Sequence, residues 1–395
     1  MFRASFIKLA TACAAVLLLA APARADSVKI GVVGVFSGAY ARWGEQFKRG
    51  IDVYQAQHGA LVNGHKIEIA YRDVGGADPN RARQVVEDLV LREKVQAIGG
   101  FAFTPNALAA MEVLNEAKVP AILFNATASP IPRKSPYVVR VSFTLAQDVV
   151  PLAQWAAANG IKRVVTLISD YGPGYDGEDA FLRTFKAAGG EVAESMRVPL
   201  STTDFSPYFE RVLAKKPDAL FMFGPGGPSS VGLINTWAGR LKPAGIKLLA
   251  TNELQEIDLP KIGAAAIDVI SAAHYTESSD IPLNIALRKA LVEKFGKDAV
   301  PDTGLVSAYD GMHMIYEAVA KFGPRFTADQ AMSLWKSLKF DSPRGPVMID
   351  PATRDIVQNV YLRRVVQRDG KLINLNFTTV PMVKDPWKDW HPEAK

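Results

Sequence analysis

Val28-Lys29-Ile30-Gly31-Val32-Val33-Gly34-Val35 is the stretch of this 395-residue chain whose reading decides the fold. A short, β-branched, almost uninterrupted apolar run that ends in Phe36-Ser37-Gly38 reads as a strand buried on both faces. A helical pattern follows over 42–57, and residues 66–71 alternate as a strand. Asp78-Pro79 opens a further helix, because Asp caps and Pro suits the first helical position. Ala82, Val85, Val86, Leu89 and Val90 supply its apolar stripe. Residues 95–99 read as a strand, Thr104-Pro105 opens a helix, and 119–124 is a strand again. Repeated β-α-β order implies a parallel sheet with helices on both faces.

The order then starts afresh. Helices are expected over 149–159, 177–188, 205–215 and 231–241, and strands over 163–169, 191–198, 219–223 and 247–250. Three late helices (283–295, 305–322, 328–337) precede short strands at 347–349, 360–366 and 372–376. The fold class is therefore α/β, with two doubly wound units of similar size. The late blocks imply that the chain crosses between the units more than once. Length agrees, since a chain of this size exceeds what one core supports. The Trp-, Pro- and Lys-bearing end, 386–395, reads as a surface strap or a disordered tail.

The first 25 residues stand apart. Arg3 and Lys8 precede an apolar run from Leu9 to Ala21, and Ala23-Arg24-Ala25 is a small-x-small cleavage signal. This is a secretory signal peptide, cleaved after Ala25, which directs the rest to a periplasm. The one cysteine, Cys13, lies inside it, so the mature chain has no thiol or disulfide chemistry. The formal charge of +6 includes Arg3, Lys8 and Arg24, and +3 remains without them. So small an excess, on a secreted chain, argues against nucleic acid.

In parallel sheets ligands sit beyond the carboxyl ends of the strands. Those positions are Phe36-Ser37-Gly38, Gly99-Gly100-Phe101, Phe124-Asn125-Ala126-Thr127, Ser169-Asp170-Tyr171, Gly224-Pro225-Gly226 and Thr251-Asn252-Glu253. Rings, hydroxyls and amides, with Asp170 and Glu253 as carboxylates, suit a small ligand with an apolar body and a polar head. Tyr40, Trp43, Phe101, Phe103, Phe124 and Phe143 gather near the same edge; three or more of them in a pocket would mean a flat, aromatic ligand.

At this level the chain resembles the periplasmic branched-chain amino-acid (Leu/Ile/Val) binding proteins, the type I substrate-binding proteins of ABC transporters. The resemblance rests on "VKIGVVGVFSGAYARWGEQFKRGI", "DVGGADPNRARQVVEDLV", "AIGGFAFTPNALA", "VPAILFNATAS" and "SAYDGMHMIYEAV", in that order, over nearly all of the mature chain. It implies two lobes joined by a three-crossover hinge: 26–146 with 276–345, and 147–275 with 346–381, leaving 382–395 as a tail. It also implies a monomer that traps its ligand by hinge closure and delivers it to a membrane permease, with no cofactor or metal. The ligand positions it implies are Trp43, Phe103, Thr104, Asn125, Thr127, Tyr175, Glu253 and Tyr309. The chain departs at "FGPGGPSS", where some relatives place a tyrosine.

Each position has a plainer reading. Thr104 can cap its helix, Trp43 can be core, and Tyr175 can be an idle loop residue. Asp170 and Asp176 can be turn formers, Glu253 a solvated charge, Asp310 structural, and Arg140 either a ligand clamp or an interlobe ion pair. If Glu253 pairs with an ammonium group, the ligand is a hydrophobic or aromatic amino acid. If the rings dominate, it is an amine-free aryl carboxylate of the phenylpropenoate or aryl-pyruvate type. An enzyme is not expected: there is no G-x-S-x-G, no H-E-x-x-H, and His58, His65, His274, His313 and His391 are scattered. A sensor feeding a receptor remains an alternative to transport.

Overall fold

The computed structural model describes residues 27–224 and 226–393; the expected leader with its cleavage site, and Pro225, lie outside the described residues. The opening run forms β1 (Val28–Gly34). It is followed by α1 (Ala41–His58), β2 (Leu61–Val62), β3 (His65–Asp73), α2 (Pro79–Glu87), β4 (Ala97–Gly100), α3 (Thr104–Ala117), β5 (Ala121–Leu123) and β6 (Val138–Arg140). These strands order as β2-β3-β1-β4-β5-β6, parallel except for the β2–β3 hairpin. Because β1 lies between β3 and β4, both its edges and both its faces are covered, which its apolar run requires. Asp78 accepts from the Arg81 N–H and caps α2, with Pro79 in the first turn.

The second unit runs through α4 (Leu145–Ala158), β7 (Arg163–Ser169), α5 (Gly172–Ala187), β8 (Glu191–Val198), α6 (Ser206–Lys215), β9 (Ala219–Phe223), α7 (Gly227–Arg240), β10 (Lys247–Ala250), α8 (Leu259–Ile262) and β11 (Ile270–Ala273). Then come α9 (Pro282–Phe295), α10 (Thr303–Phe322), α11 (Ala328–Trp335), β12 (Lys339–Ser342), β13 (Gly345–Ile349), β14 (Ile356–Arg368), β15 (Lys371–Val383) and α12 (Trp387–Trp390). The second sheet orders as β12-β13-β14-β11-β10-β9-β7-β8, with β15 on β14. It is parallel from β11 to β8, but β12 to β15 join it antiparallel, so it is mixed. The late strands are longer than their apolar cores suggest. Asp369 and Gly370 both have positive φ, 50° and 75°, and close β14 and β15 as a two-residue hairpin.

Side chains of α10 and α11 share the core of the first sheet, whereas α9 packs with α1 and α10. Phe124, fully buried, fills the gap between β4 and α10. A Cβ on Gly99 would lie 2.3 Å from its ring and one on Gly311 2.2 Å, so both positions must be glycine for the helix to reach the sheet. β12, expected within the first lobe, hydrogen-bonds into the second sheet instead, while Val347 and Ile349 of β13 point their side chains into the first lobe's core. The chain thus passes between the lobes after β6, after β11 and after α11.

A buried polar network ties these passages. Arg344 pairs with Asp310 at 2.8 Å and donates to the Ser142 carbonyl at 3.1 Å. Gln358 Nε2 donates to the same carbonyl at 2.8 Å, and the Tyr361 hydroxyl donates to the Arg344 carbonyl at 2.6 Å. The described tail is a strap rather than a loose end. Trp387 and Lys388 are buried, Arg133 of the first lobe donates to the His391 carbonyl at 2.6 Å, and His391 meets Asp179 of the second at 2.8 Å.

Candidate functional site

The carboxyl ends of the two sheets face each other across a cleft. Its first-lobe wall is Trp43, Ala102, Phe103, Thr104, Asn125 and Thr127. Its second-lobe wall is Tyr171, Pro173, Phe223, Gly224, Gly226, Asn252 and Glu253, and Phe143 closes it at the first crossover. Six of the eight expected residues are thereby brought together: Trp43, Phe103, Thr104, Asn125, Thr127 and Glu253.

Each wall position has a local cause. The chain turns sharply after β4 at Gly100 and Phe101, both with positive φ, and Phe101 donates its N–H to the Val33 carbonyl at 2.8 Å. That turn delivers Phe103 and Thr104 to the start of α3. Phe103 is the N-cap and offers no side-chain cap, so Thr104 is not the helix cap that its neighbour Pro105 allowed. Its Oγ1 accepts from the Ala128 N–H at 3.3 Å and its own proton remains for another acceptor. Asn125 is anchored by donating to the Ala102 carbonyl at 2.7 Å. Arg140 shapes the wall without entering it. Fully buried, it donates to the carbonyls of Thr127 (2.7 Å), Ala128 (2.6 Å) and Phe143 (3.2 Å), and pairs with Asp355 at 3.1 Å. Of its two readings, the ion pair between the sheets is the one realised.

Rings dominate the enclosure. Trp43, Phe103 and Phe143 come from the expected aromatic group, whereas Phe101 and Phe124 are core and Tyr40 sits at the rim, edge-on to Phe103 with centroids 5.2 Å apart. Phe143 is stacked on His274 at 4.6 Å. The second lobe adds Tyr171 and Phe223, stacked at 5.9 Å. Tyr171, Gly224, Gly226 and Asn252 all stand in the strand-end set, so the rule that finds ligand positions in parallel sheets reaches them. Phe223, the last residue inside β9, lies one position too early for it.

Two expected residues belong elsewhere. α5 begins at Gly172, earlier than the sequence pattern, so Tyr171 takes the helix-entry position at the cleft and Tyr175 turns outward. Tyr175 is 41% exposed, donates to Asp170 Oδ1 at 2.6 Å and carries the Arg197 guanidinium 4.6 Å above its ring. Tyr309 lies two turns into α10, beside the far end of α1. Its ring meets Tyr54 edge-on at 4.9 Å and its hydroxyl donates to Gln57 at 2.7 Å. Asp310 is structural, held by Arg344 and by the Ser342 hydroxyl at 2.7 Å. Asp176 accepts from the Ser129 N–H of the opposite lobe at 2.8 Å.

Glu253 is buried, not a solvated charge. The Thr251 hydroxyl donates to its Oε2 at 2.5 Å, but burial outweighs that bond and pushes the carboxyl up to about 7. Beside it, Asn252 Nδ2 donates to Asp148, a carboxyl that burial raises to about 8. At the mouth, Arg42 of α1 reaches across to Asp258 and lies 4.0 Å from Asp302, while the Tyr40 hydroxyl donates to the Leu200 carbonyl at 3.2 Å. Gly226, with φ of 81°, sits under that bridge. A Cβ there would be 3.0 Å from Arg42 Nη2, so a glycine at this position leaves room for the first lobe to approach. Among the described residues no cluster of three His, Asp or Glu has the arrangement of a metal site, and no helix is long and apolar enough to cross a membrane.

The model of a family described as periplasmic binding protein matches residues 27–371. The chain belongs to that family. This binding protein has the type I fold, and its role is that of an ABC transporter's solute-binding component, which takes up a small molecule and passes it to a permease. It is 43% identical over 379 residues to Leu/Ile/Val-binding protein homolog 6 of Brucella melitensis, a match covering 95% of this chain and 97% of the relative. Among solved structures it is similar to a solute-binding protein of an ABC transporter from Rhodopseudomonas palustris HaA2 in complex with p-hydroxybenzoic acid (43% identity, TM-score 0.89, 91% and 98% of the two chains). Another, from Rhodopseudomonas palustris BisB5 in complex with 3,4-dihydroxybenzoic acid, is 40% identical with a TM-score of 0.88, covering 92% and 99%.

Proposed function

We propose that this binding protein captures an amine-free aryl carboxylate of the hydroxybenzoate kind, closes on it and hands it to the permease. The observation that carries the reading is the ring-lined cleft: Trp43, Phe103, Phe143, Tyr171 and Phe223 enclose a space suited to one flat ring. The hydroxyls of Thr104 and Thr127 and the uncapped N–H groups at the start of α3 take the carboxylate. The ligands held by the two Rhodopseudomonas proteins, at 40 and 43% identity, support it. In this reading the leader is removed after Ala25, the mature protein works as a periplasmic monomer, and the ligand leaves chemically unchanged.

An aromatic amino acid is the second reading, favoured by the carboxyl of Glu253 in the wall. Against it, a carboxyl that burial pushes up to about 7 is only partly ionised near neutral pH and is a weak counter-charge for ammonium.

A thermal-shift screen tests both, because a ligand that binds only the folded state raises the melting temperature by mass action. One panel holds benzoate, hydroxybenzoates and phenylpropenoates; the other holds leucine, phenylalanine and tyrosine. Shifts confined to the first panel are expected. Shifts confined to the amino acids refute the proposal.

A further inference from the structure

Two buried oxygens in the second-lobe wall lack a partner. Asn252 is 4% exposed and Glu253 3%. Thr251 occupies Glu253 Oε2, and Oε1 is left without a donor. Asn252 turns its amide nitrogen to Asp148, and its Oδ1 is likewise unpaired. Both residues line the cleft. The positive group behind them cannot serve them, because Arg363 is committed elsewhere. It donates to Ser271 Oγ at 3.2 Å and to the carbonyls of Tyr275 (2.9 Å) and Leu254 (3.2 Å).

The opposite wall has the reverse character. Thr104 uses its oxygen as an acceptor from Ala128 and has its proton to give. The first N–H groups of α3 have no side-chain cap. Donors thus stand on the first lobe, unpaired acceptors on the second, and rings between. A buried acceptor left facing carbon loses the hydrogen bond it had in water. A ligand that brings a donor to that wall restores it.

We propose that Asn252 and Glu253 form a hydroxyl-reading subsite, which makes the protein select aryl carboxylates with a phenolic O–H on the side of the ring away from the carboxylate. The inference rests on the aryl-carboxylate reading of the cleft. A single hydroxyl donates to Glu253 Oε1, and a neighbouring second hydroxyl donates to Asn252 Oδ1. A bare ring satisfies neither. A methyl ether has similar shape, only accepts, and is rejected with the bare ring.

Titration calorimetry on the mature protein at pH 8.5, where the Glu253 carboxyl is ionised and only accepts, with benzoate, 4-methoxybenzoate, 4-hydroxybenzoate and 3,4-dihydroxybenzoate decides the matter. The hydroxylated acids are expected to bind at least about tenfold tighter than the other two. In Glu253→Met the gap should shrink to within about threefold, since the hydroxyl's partner is gone. Equal affinity for benzoate and 4-hydroxybenzoate in the unmutated protein overturns the subsite while leaving the aryl-carboxylate function intact. So does a preference that survives Glu253→Met unchanged. Failure of all four acids to bind overturns the function and the subsite together. Should the variant not fold, as read by circular dichroism, the unmutated protein still tests the subsite: equal affinity for 4-methoxybenzoate and 4-hydroxybenzoate overturns it, and a preference for the hydroxyl upholds it.

Discussion

Glu253→Gln in the ligand-free protein should change the pH dependence of stability in a defined direction. The carboxyl has an ordinary value of 4.5 and is pushed to about 7, mainly by burial; the Thr251 hydroxyl opposes the shift without cancelling it. Below 4.5 the group is protonated in both folded and unfolded chains and costs nothing. As pH rises through 4.5 the unfolded chain releases its proton while the folded one keeps it, so stability falls until about pH 7. Above that the folded state carries the full penalty, about 3 kcal/mol at 1.36 kcal/mol per pH unit. Glutamine has the same shape and no proton to lose. Any fixed cost of placing its amide beside Thr251 is equal at all pH values. The quantity to measure is therefore the difference between variant and parent unfolding free energies in urea, followed by tryptophan fluorescence at pH 5 and pH 8.5. It should move in the variant's favour by about 2–3 kcal/mol between the two. A difference that stays constant would refute the assignment of a buried, proton-retaining carboxyl. One that moves in the opposite direction would mean that the cleft stabilises the charged form.

Gly311→Ala drives a methyl to 2.2 Å from the Phe124 ring, and should destabilise the first lobe by about 1–3 kcal/mol in urea unfolding, with Phe124→Leu as a second change restoring part of the loss. Arg42→Ala removes the contact to Asp258 across the mouth and leaves Asp302 buried without its cation, so ligand dissociation measured by stopped-flow fluorescence should quicken by about tenfold or more. Tyr175→Ala and Tyr309→Phe, both outside the cleft, should leave ligand affinity in calorimetry within about twofold of the parent; a larger loss would return either residue to the site.

The sequence alone determined the α/β order, the two-unit plan and the cleft wall built from strand ends. Its physical basis is local: a strand buried on both faces must be apolar throughout, a helix start needs a cap or Pro, and a parallel sheet puts the following loops at one edge. Asn125, Thr127 and Glu253 were legible for that reason, each lying within a few residues of a strand end, whereas Trp43, Phe103 and Thr104 were reached through the family resemblance. Only the tertiary structure decided which side chains turn inward. Tyr171 and Tyr175 share one loop-helix junction, and the start of α5 at Gly172 rather than Gly177 sends the first to the cleft and the second to solvent. Tyr309 lies in a motif that resembles the family's, yet a continuous α10 carries it away from the strand ends. The protonation of Glu253, the commitment of Arg140 to backbone carbonyls and the bridge from Arg42 to Asp258 depend on groups distant in sequence. Burial and charge are properties of what surrounds a residue, and those surroundings exist only once the two lobes have folded and met.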